Sequence, residues 1–180
     1  MALLYFYDAT ELDRRQISDG LQETDHNWEF VDESIAGNNL NPETEVISVF
    51  VTSNVTKEII DALPKLRLIA CRSTGYNNID LEAAEARGVI VVNVPTYGEA
   101  TVAEYTFALI LALSRKISPA LRAFEQEVRS VELMGNDISG KTLGVVGTGR
   151  IGQHVITIAK GFNMQVLAYD PFPKEGLDSE

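Results

Sequence analysis

Short apolar runs alternate along the chain with segments whose apolar residues recur at helical spacing. "LLYFYDA" (Leu3 to Ala9) predicts a first strand, Glu11 to Gly20 a helix, and "WEFVDES" (Trp28 to Ser34) a second strand. "EVISVFV" (Glu45 to Val51) predicts a third strand, and a helix starting at Thr56 stops before Pro64. "LRLIA" (Leu66 to Ala70) follows as a fourth strand, "DLEAAEARG" as a helix ending at Gly88, and "VIVVNVP" as a fifth strand ending at Pro95. Strands that alternate with helices imply a parallel sheet covered on both faces. The stretch as far as Pro95 is long enough to make a complete small domain.

Beyond it the texture changes. "EATVAEYTFALILALSRKI" (Glu99 to Ile117) predicts one helix of several turns, with Val102, Leu109, Ile110 and Leu113 apolar. Its apolar surface is wider than one packing stripe, as in a helix covered from two sides. A polar stretch, Arg122 to Lys141, leads to the run Thr142 to Val146, whose β-branched residues suit a strand buried on both faces; Gly140 marks its start. A helix from about Arg150 to Lys160 is ended by Gly161, with Ile151, Val155, Ile158 and Ala159 as its apolar stripe. The strand Gln165 to Tyr169 comes next, with Asp170 at its carboxyl end.

Between the last two strands, Gly147, Gly149 and Gly152 stand in the G-x-G-x-x-G spacing. The first permits a tight turn off the strand, the second lets the backbone approach a pyrophosphate, and the third lets helix and strand pack closely. Alone such a pattern is weak; strand, glycines, helix, strand and acid in that order form a dinucleotide fingerprint. The helix amino terminus supplies the anion site. Asp170 accepts hydrogen bonds from an adenosine ribose in this scheme, and its charge repels the 2′-phosphate of NADP, which makes NAD the expected cofactor.

Composition narrows the classes. With 180 residues, 45% of them hydrophobic, the chain has enough apolar material for one ordinary domain or two small ones. A formal charge of −11, from 26 acids against 15 bases, argues against nucleic acid as a partner. No apolar run approaches membrane-spanning length, and the amino terminus lacks the basic flank of a signal peptide. Cys71 is the single cysteine, so no internal disulfide is possible, and a cytoplasmic location fits. Cys71 reads as a small buried side chain, with a reactive thiol as the alternative. Nothing in the sequence suggests a metal site.

Three segments carry a family resemblance: "CRSTGYNNIDLEAAEARGVIVVNVPTYGEATVAEYTFALILALSRK", "GKTLGVVGTGRIGQHVITIAKGF" and "VLAYDPF". In order, spacing and wording the chain resembles the D-isomer-specific 2-hydroxyacid dehydrogenases from about residue 45 to 173. The resemblance implies an α/β fold with two parts: a flavodoxin-like parallel-sheet substrate domain over residues 1–98, and over 99–180 the beginning of a Rossmann domain that binds NAD. It also implies a homodimer through the helix spanning residues 101–113. By the same resemblance Ser73, Thr74 and Gly75 present backbone N–H groups to the carboxylate of a small 2-keto or 2-hydroxy acid, with Tyr97 near the cleft. A small glycine-containing loop at the carboxyl end of a strand suits that work on physical grounds too. Thr101 and Val102 lie near the nicotinamide, and Arg150 and Ile151 touch the pyrophosphate through backbone amides, with the Arg150 guanidinium able to add charge-assisted hydrogen bonds.

Reduction of a 2-keto acid also needs a cation for the carboxylate, a proton donor for the carbonyl oxygen and a neighbour that tunes the donor. In the family these are an arginine, a histidine and a glutamate that follow the second Rossmann strand, and no motif here matches them. The two histidines are expected in other roles, His26 in a surface loop and His154 as a structural helix residue. The expectation is therefore the amino-terminal half or so of a dehydrogenase, as a proteolytic remnant, a shortened product or a split gene product, inactive by itself. The alternatives are an NAD-sensing protein like the family's transcriptional corepressors and a scaffold that has lost catalysis. Lactate, glyoxylate, hydroxypyruvate and phosphoglycerate all stay open as substrates.

Overall fold

The computed structural model describes residues 1–37, 39–127 and 133–173; residues 128–132 of the predicted polar stretch lie outside them. The chain divides into two compact units, Met1–Thr96 and Tyr97–Glu180.

In the first unit the elements run β1 (Leu3–Phe6), α1 (Glu11–Leu21), β2 (Asn27–Phe30), β3 (Val46–Val49), α2 (Lys57–Asp61), β4 (Leu68–Cys71), α3 (Leu81–Ala86) and β5 (Ile90–Val92). All neighbouring strands pair in parallel, in the order β2-β1-β3-β4-β5. This is the flavodoxin-like order, with its reversal between β1 and β3. Apolar side chains on one face make the core: Tyr7, Ile47, Val49 and Ile69 meet Ile60 and Leu63, all at 0% exposure. Each such aliphatic side chain contributes about 1.5–3 kcal/mol relative to leaving it in water.

The strands are shorter than the sequence pattern suggests. β1 stops at Phe6 because Asp8 adopts a left-handed backbone (φ 54°), which no extended run continues. Its carboxylate then accepts hydrogen bonds from Phe50 N–H (2.9 Å) and Thr52 Oγ1 (2.6 Å). α1 begins where a threonine can cap it: Asp13 N–H donates to Thr10 Oγ1 (3.2 Å) while Thr10 N–H donates to the Asp13 carboxylate (2.8 Å).

The second unit holds α4 (Glu99–Ser114), α5 (Ile117–Glu125), β6 (Thr142–Val146), α6 (Arg150–Gly161) and β7 (Gln165–Tyr169). β6 and β7 pair in parallel around the crossover helix α6. α4 packs on α6, where Phe107 and Phe162 stack with ring centres 5.5 Å apart. The helix expected over Glu99 to Ile117 ends at Ser114, and an unexpected second helix begins at Ile117 and runs into the stretch read as a polar connection. Lys116 takes a left-handed backbone (φ 54°), and Pro119 lies in the first turn of α5. A proline inside a continuous helix would clash with the carbonyl four residues back, here that of Arg115, so the helix ends at Ser114 and restarts.

Candidate functional site

The glycine loop is built from the ends of β6 and α6. Gly147 leaves β6 with φ 97°, a conformation open to glycine and strained for other residues. Gly149 caps α6, and a Cβ added there would meet nothing within 4 Å, so the backbone is open to a ligand. Gly152 is the opposite case. A Cβ there would lie 2.0 Å from the Gly147 carbonyl oxygen, so the close passage of α6 over the loop requires glycine. The first main-chain hydrogen bond into the helix is Gln153 N–H to Gly149 O (3.0 Å). The N–H groups of Ile151 and Gly152 therefore point out of the helix end without a main-chain acceptor among the described residues.

Asp170 sits at the end of β7 and reaches back into the loop. Its Oδ2 accepts both the Thr148 N–H (2.6 Å) and the Thr148 hydroxyl (3.1 Å), and its Oδ1 accepts Phe172 N–H (2.9 Å). These donors, Thr148 N–H foremost, hold the Asp170 carboxyl below the usual carboxylate range. Thr148 is buried, with 5% exposure, and its carbonyl accepts a bond from Gln153 Nε2 (2.9 Å). The fingerprint gives no role to Thr148 or Gln153. The available signal was a hydroxyl residue between two glycines with an acid 22 residues later.

Arg150 extends from the first turn of α6 and lies 3.7 Å from Glu99, which opens α4. Thr101 and Val102 occupy the same first turn of α4 and are exposed. Ile151, counted as part of the apolar stripe, is instead 42% exposed, while Ala159 on that stripe is fully buried. His154 is an exposed residue of α6. Within the second unit the structure thus gathers Gly147, Gly149, Arg150, Ile151, Gly152 and Asp170 around one loop.

The turn Ser73-Thr74-Gly75 belongs to the first unit, just after β4. Ser73 is buried and its hydroxyl donates to Gly75 O (2.7 Å), with Cys71 Sγ 3.1 Å from Ser73 Oγ. Thr74 Oγ1 donates to Val94 O (2.9 Å), and Asn93 Nδ2 donates to Thr74 O (2.8 Å), which anchors the turn to the segment after β5. With its hydroxyls committed to main-chain carbonyls, the turn leaves the N–H groups of Thr74 and Gly75 without an acceptor among the described residues. Behind it, the Arg72 guanidinium donates to Tyr7 O (2.7 Å), Asp8 O (3.1 Å) and Ser48 Oγ (3.1 Å). Tyr97 begins the second unit and is 60% exposed.

His26, expected in a surface loop, is half-buried, and its Nδ1 accepts the Ala2 N–H (3.1 Å) beside β1. Cys71 is buried. Among the described residues no cluster of His, Cys, Asp and Glu could hold a metal, and no helix is long and apolar enough to cross a membrane.

Comparison with known proteins agrees with this geometry. Residues 6–168 match the family model described as D-isomer specific 2-hydroxyacid dehydrogenase, catalytic domain. A 2-hydroxyacid dehydrogenase homolog of Haemophilus influenzae is 43% identical over 131 residues, which is 71% of this chain and 40% of that protein. A D-3-phosphoglycerate dehydrogenase of Methanocaldococcus jannaschii is 41% identical over 139 residues, covering 76% of this chain and 26% of its own length. Among solved structures, the D-lactate dehydrogenase of Aquifex aeolicus complexed with NAD and lactic acid superposes with a TM-score of 0.86 at 30% identity, covering 97% of this chain and 53% of that one. The chain thus spans less than half the length of these sequence relatives and about half of the structural one.

Proposed function

The chain belongs to the D-isomer-specific 2-hydroxyacid dehydrogenase family, and from that premise we propose that it is the substrate-binding unit and glycine-loop portion of an enzyme that reduces a small 2-keto acid to a D-2-hydroxy acid with NADH. The observation that carries the reading is the meeting of Asp170 with an open glycine loop at the amino end of α6. In it, residues 1–98 bind the substrate and residues 99–180 begin the NAD domain. The unengaged N–H groups of Thr74 and Gly75 take the substrate carboxylate, with Ser73 shaping the turn and Tyr97 bordering the cleft. Gly147, Gly149, Arg150, Ile151 and Gly152 hold the pyrophosphate, Asp170 the ribose, and Thr101 and Val102 the nicotinamide side.

The residues present fit that cofactor. Gly149 leaves the backbone approachable, the helix end offers N–H donors to an anion, and Asp170 supplies a carboxylate that suits hydroxyls and repels a phosphate. When bound, NADH supplies the hydride for the substrate carbonyl. The chain's own residues bind and orient, while proton donation and the carboxylate-pairing cation lie outside this set. Of the two histidines, His26 Nδ1 is engaged by Ala2 N–H and His154 stands exposed on α6. An exposed apolar row on α4, Val102, Tyr105, Leu109 and Leu113, supports pairing of two chains through that helix, which sedimentation of a dilute sample would reveal as a dimer.

Steady-state assays test the reading. The 180-residue polypeptide is expected to give no sustained oxidation of NADH with pyruvate, glyoxylate or hydroxypyruvate, because a missing general acid alone costs roughly 10²–10⁴-fold in rate. Titration with NAD and NADP, followed by amide signals from α6, is expected to show weak binding with NAD preferred. Turnover that survives mass verification and disappears on mutating a residue of this chain would overturn the division of labour, and equal binding of NADP would overturn the role of Asp170.

A further inference from the structure

A carboxylate that only faced solvent could turn aside to admit a 2′-phosphate. Asp170 is not in that position. Of its four lone-pair sites, two on Oδ2 are filled by Thr148, through N–H (2.6 Å) and hydroxyl (3.1 Å), and one on Oδ1 is filled by Phe172 N–H (2.9 Å). One acceptor site is left for a ligand, and it lies on Oδ1. Thr148 in turn cannot follow a moving carboxylate, because it is 5% exposed and its carbonyl is held by Gln153 Nε2 (2.9 Å). Rotating Asp170 away would strand a buried hydroxyl and a buried N–H, a costlier outcome than losing a solvated contact.

We propose that Thr148 is a specificity-determining residue of the dinucleotide site: its hydroxyl locks the Asp170 carboxylate in the orientation that accepts one ribose hydroxyl and cannot yield to a 2′-phosphate. The proposal rests on the NAD reading above and goes beyond it by moving the discrimination from the acid alone to the acid and its lock. Thr148 acts through Asp170 as a positioning residue. The depressed proton affinity of Asp170, caused first by Thr148 N–H, is consistent with a fixed carboxylate.

The experiment compares wild type, Thr148→Val and Thr148→Ser, each checked for folding by thermal melting. Valine keeps the shape and the N–H and removes the hydroxyl, whereas serine keeps the hydroxyl. The probes are ADP-ribose and 2′-phospho-ADP-ribose, titrated against amide signals of α6, together with the titration midpoint of the Asp170 carboxyl carbon. Wild type and Thr148→Ser are expected to prefer ADP-ribose by the same ratio, and Thr148→Val to narrow that ratio by roughly tenfold or more, the weight of one hydrogen bond to a charged acceptor. The Asp170 midpoint is expected to rise in Thr148→Val and to stay put in Thr148→Ser. A wild-type preference that persists unchanged in Thr148→Val, or is lost equally in Thr148→Ser, would overturn the lock while leaving the NAD reading intact. If neither probe binds any variant, or wild type shows no preference, the NAD reading fails and the lock with it.

Discussion

The two units differ in what their apolar residues do. In the first, a five-stranded sheet closes one face over a core in which Tyr7, Ile47, Ile60 and Ile69 are wholly buried. In the second, a two-stranded sheet leaves Val146, Leu167 and Tyr169 exposed at 84%, 68% and 65%. Its buried apolar residues are few, Ala103, Phe107, Val145 and Ala159, and beside them stand directed contacts: Thr148 and Asp170 bonded to each other, and Gly152 against Gly147. The first unit is therefore organised by one broad core, and the second by a small apolar contact between α4 and α6 and a few directed contacts around a loop. Stability and ligand geometry need not be carried by the same kind of interaction, even in one chain.

The largest test of this contrast is truncation of one aliphatic residue in each sheet. Ile69→Ala, at a site with no exposure, is expected to cost about 2–5 kcal/mol, while Leu167→Ala stays within about 0.5 kcal/mol. Denaturant titration of both variants measures the difference; similar losses would mean that Leu167 has a cover the exposure does not reveal.

A second test uses pH. Burial, with a smaller push from Tyr5, raises the Tyr7 phenol from 10.0 to about 12, and its hydroxyl donates to Asn39 O (3.0 Å). Since the folded value lies above the unfolded one, the protein prefers the protonated phenol. The associated stability is fully present below pH 10 and fades as pH rises toward 12, a loss of about 2–3 kcal/mol confined to the first unit. Unfolding curves across that interval should show the slope in wild type and its absence in Tyr7→Phe.

The smallest expected effect probes backbone packing in the second unit. Gly152→Ala pushes a methyl against the Gly147 carbonyl and should cost about 1–3 kcal/mol, felt as altered amide signals across the glycine loop. Gly144→Ala, where a Cβ meets nothing within 4 Å, should be neutral or slightly stabilising. Equal responses would remove the special standing of Gly152.

Much of this was legible because its causes are local. The strand before Gly147, the glycine spacing and the helix that follows are written in neighbouring residues, and so is the alternation that predicts the first sheet. The burial expected on both faces of Thr142–Val146 is contradicted by Val146 at 84% exposure, because only β7 pairs with that strand among the described strands. What was missed depends on distant partners or on single dihedral angles. β1 looks longer than it is because alternation runs on through Tyr7 and only Asp8's positive φ stops it. The break at Lys116 was hidden by an unbroken supply of helix formers, although Pro119 carried the information. The lock between Thr148 and Asp170 joins residues 22 apart through side-chain geometry, and no periodicity encodes it.

Arg72 has one more consequence. A sheet of this strand order usually opens its crevice above β1 and β3, where the direction of winding reverses. Here a cation is lodged at that point, fastened to the carbonyls of Tyr7 and Asp8 on one strand's end and to Ser48 on the other strand. The natural doorway of the sheet is plugged from within by its own fourth strand's continuation. Beyond that plug, on the turn after β4, stand the N–H groups of Thr74 and Gly75, which have no acceptor among the described residues, so that one side chain closes the crevice and leaves the neighbouring turn bare.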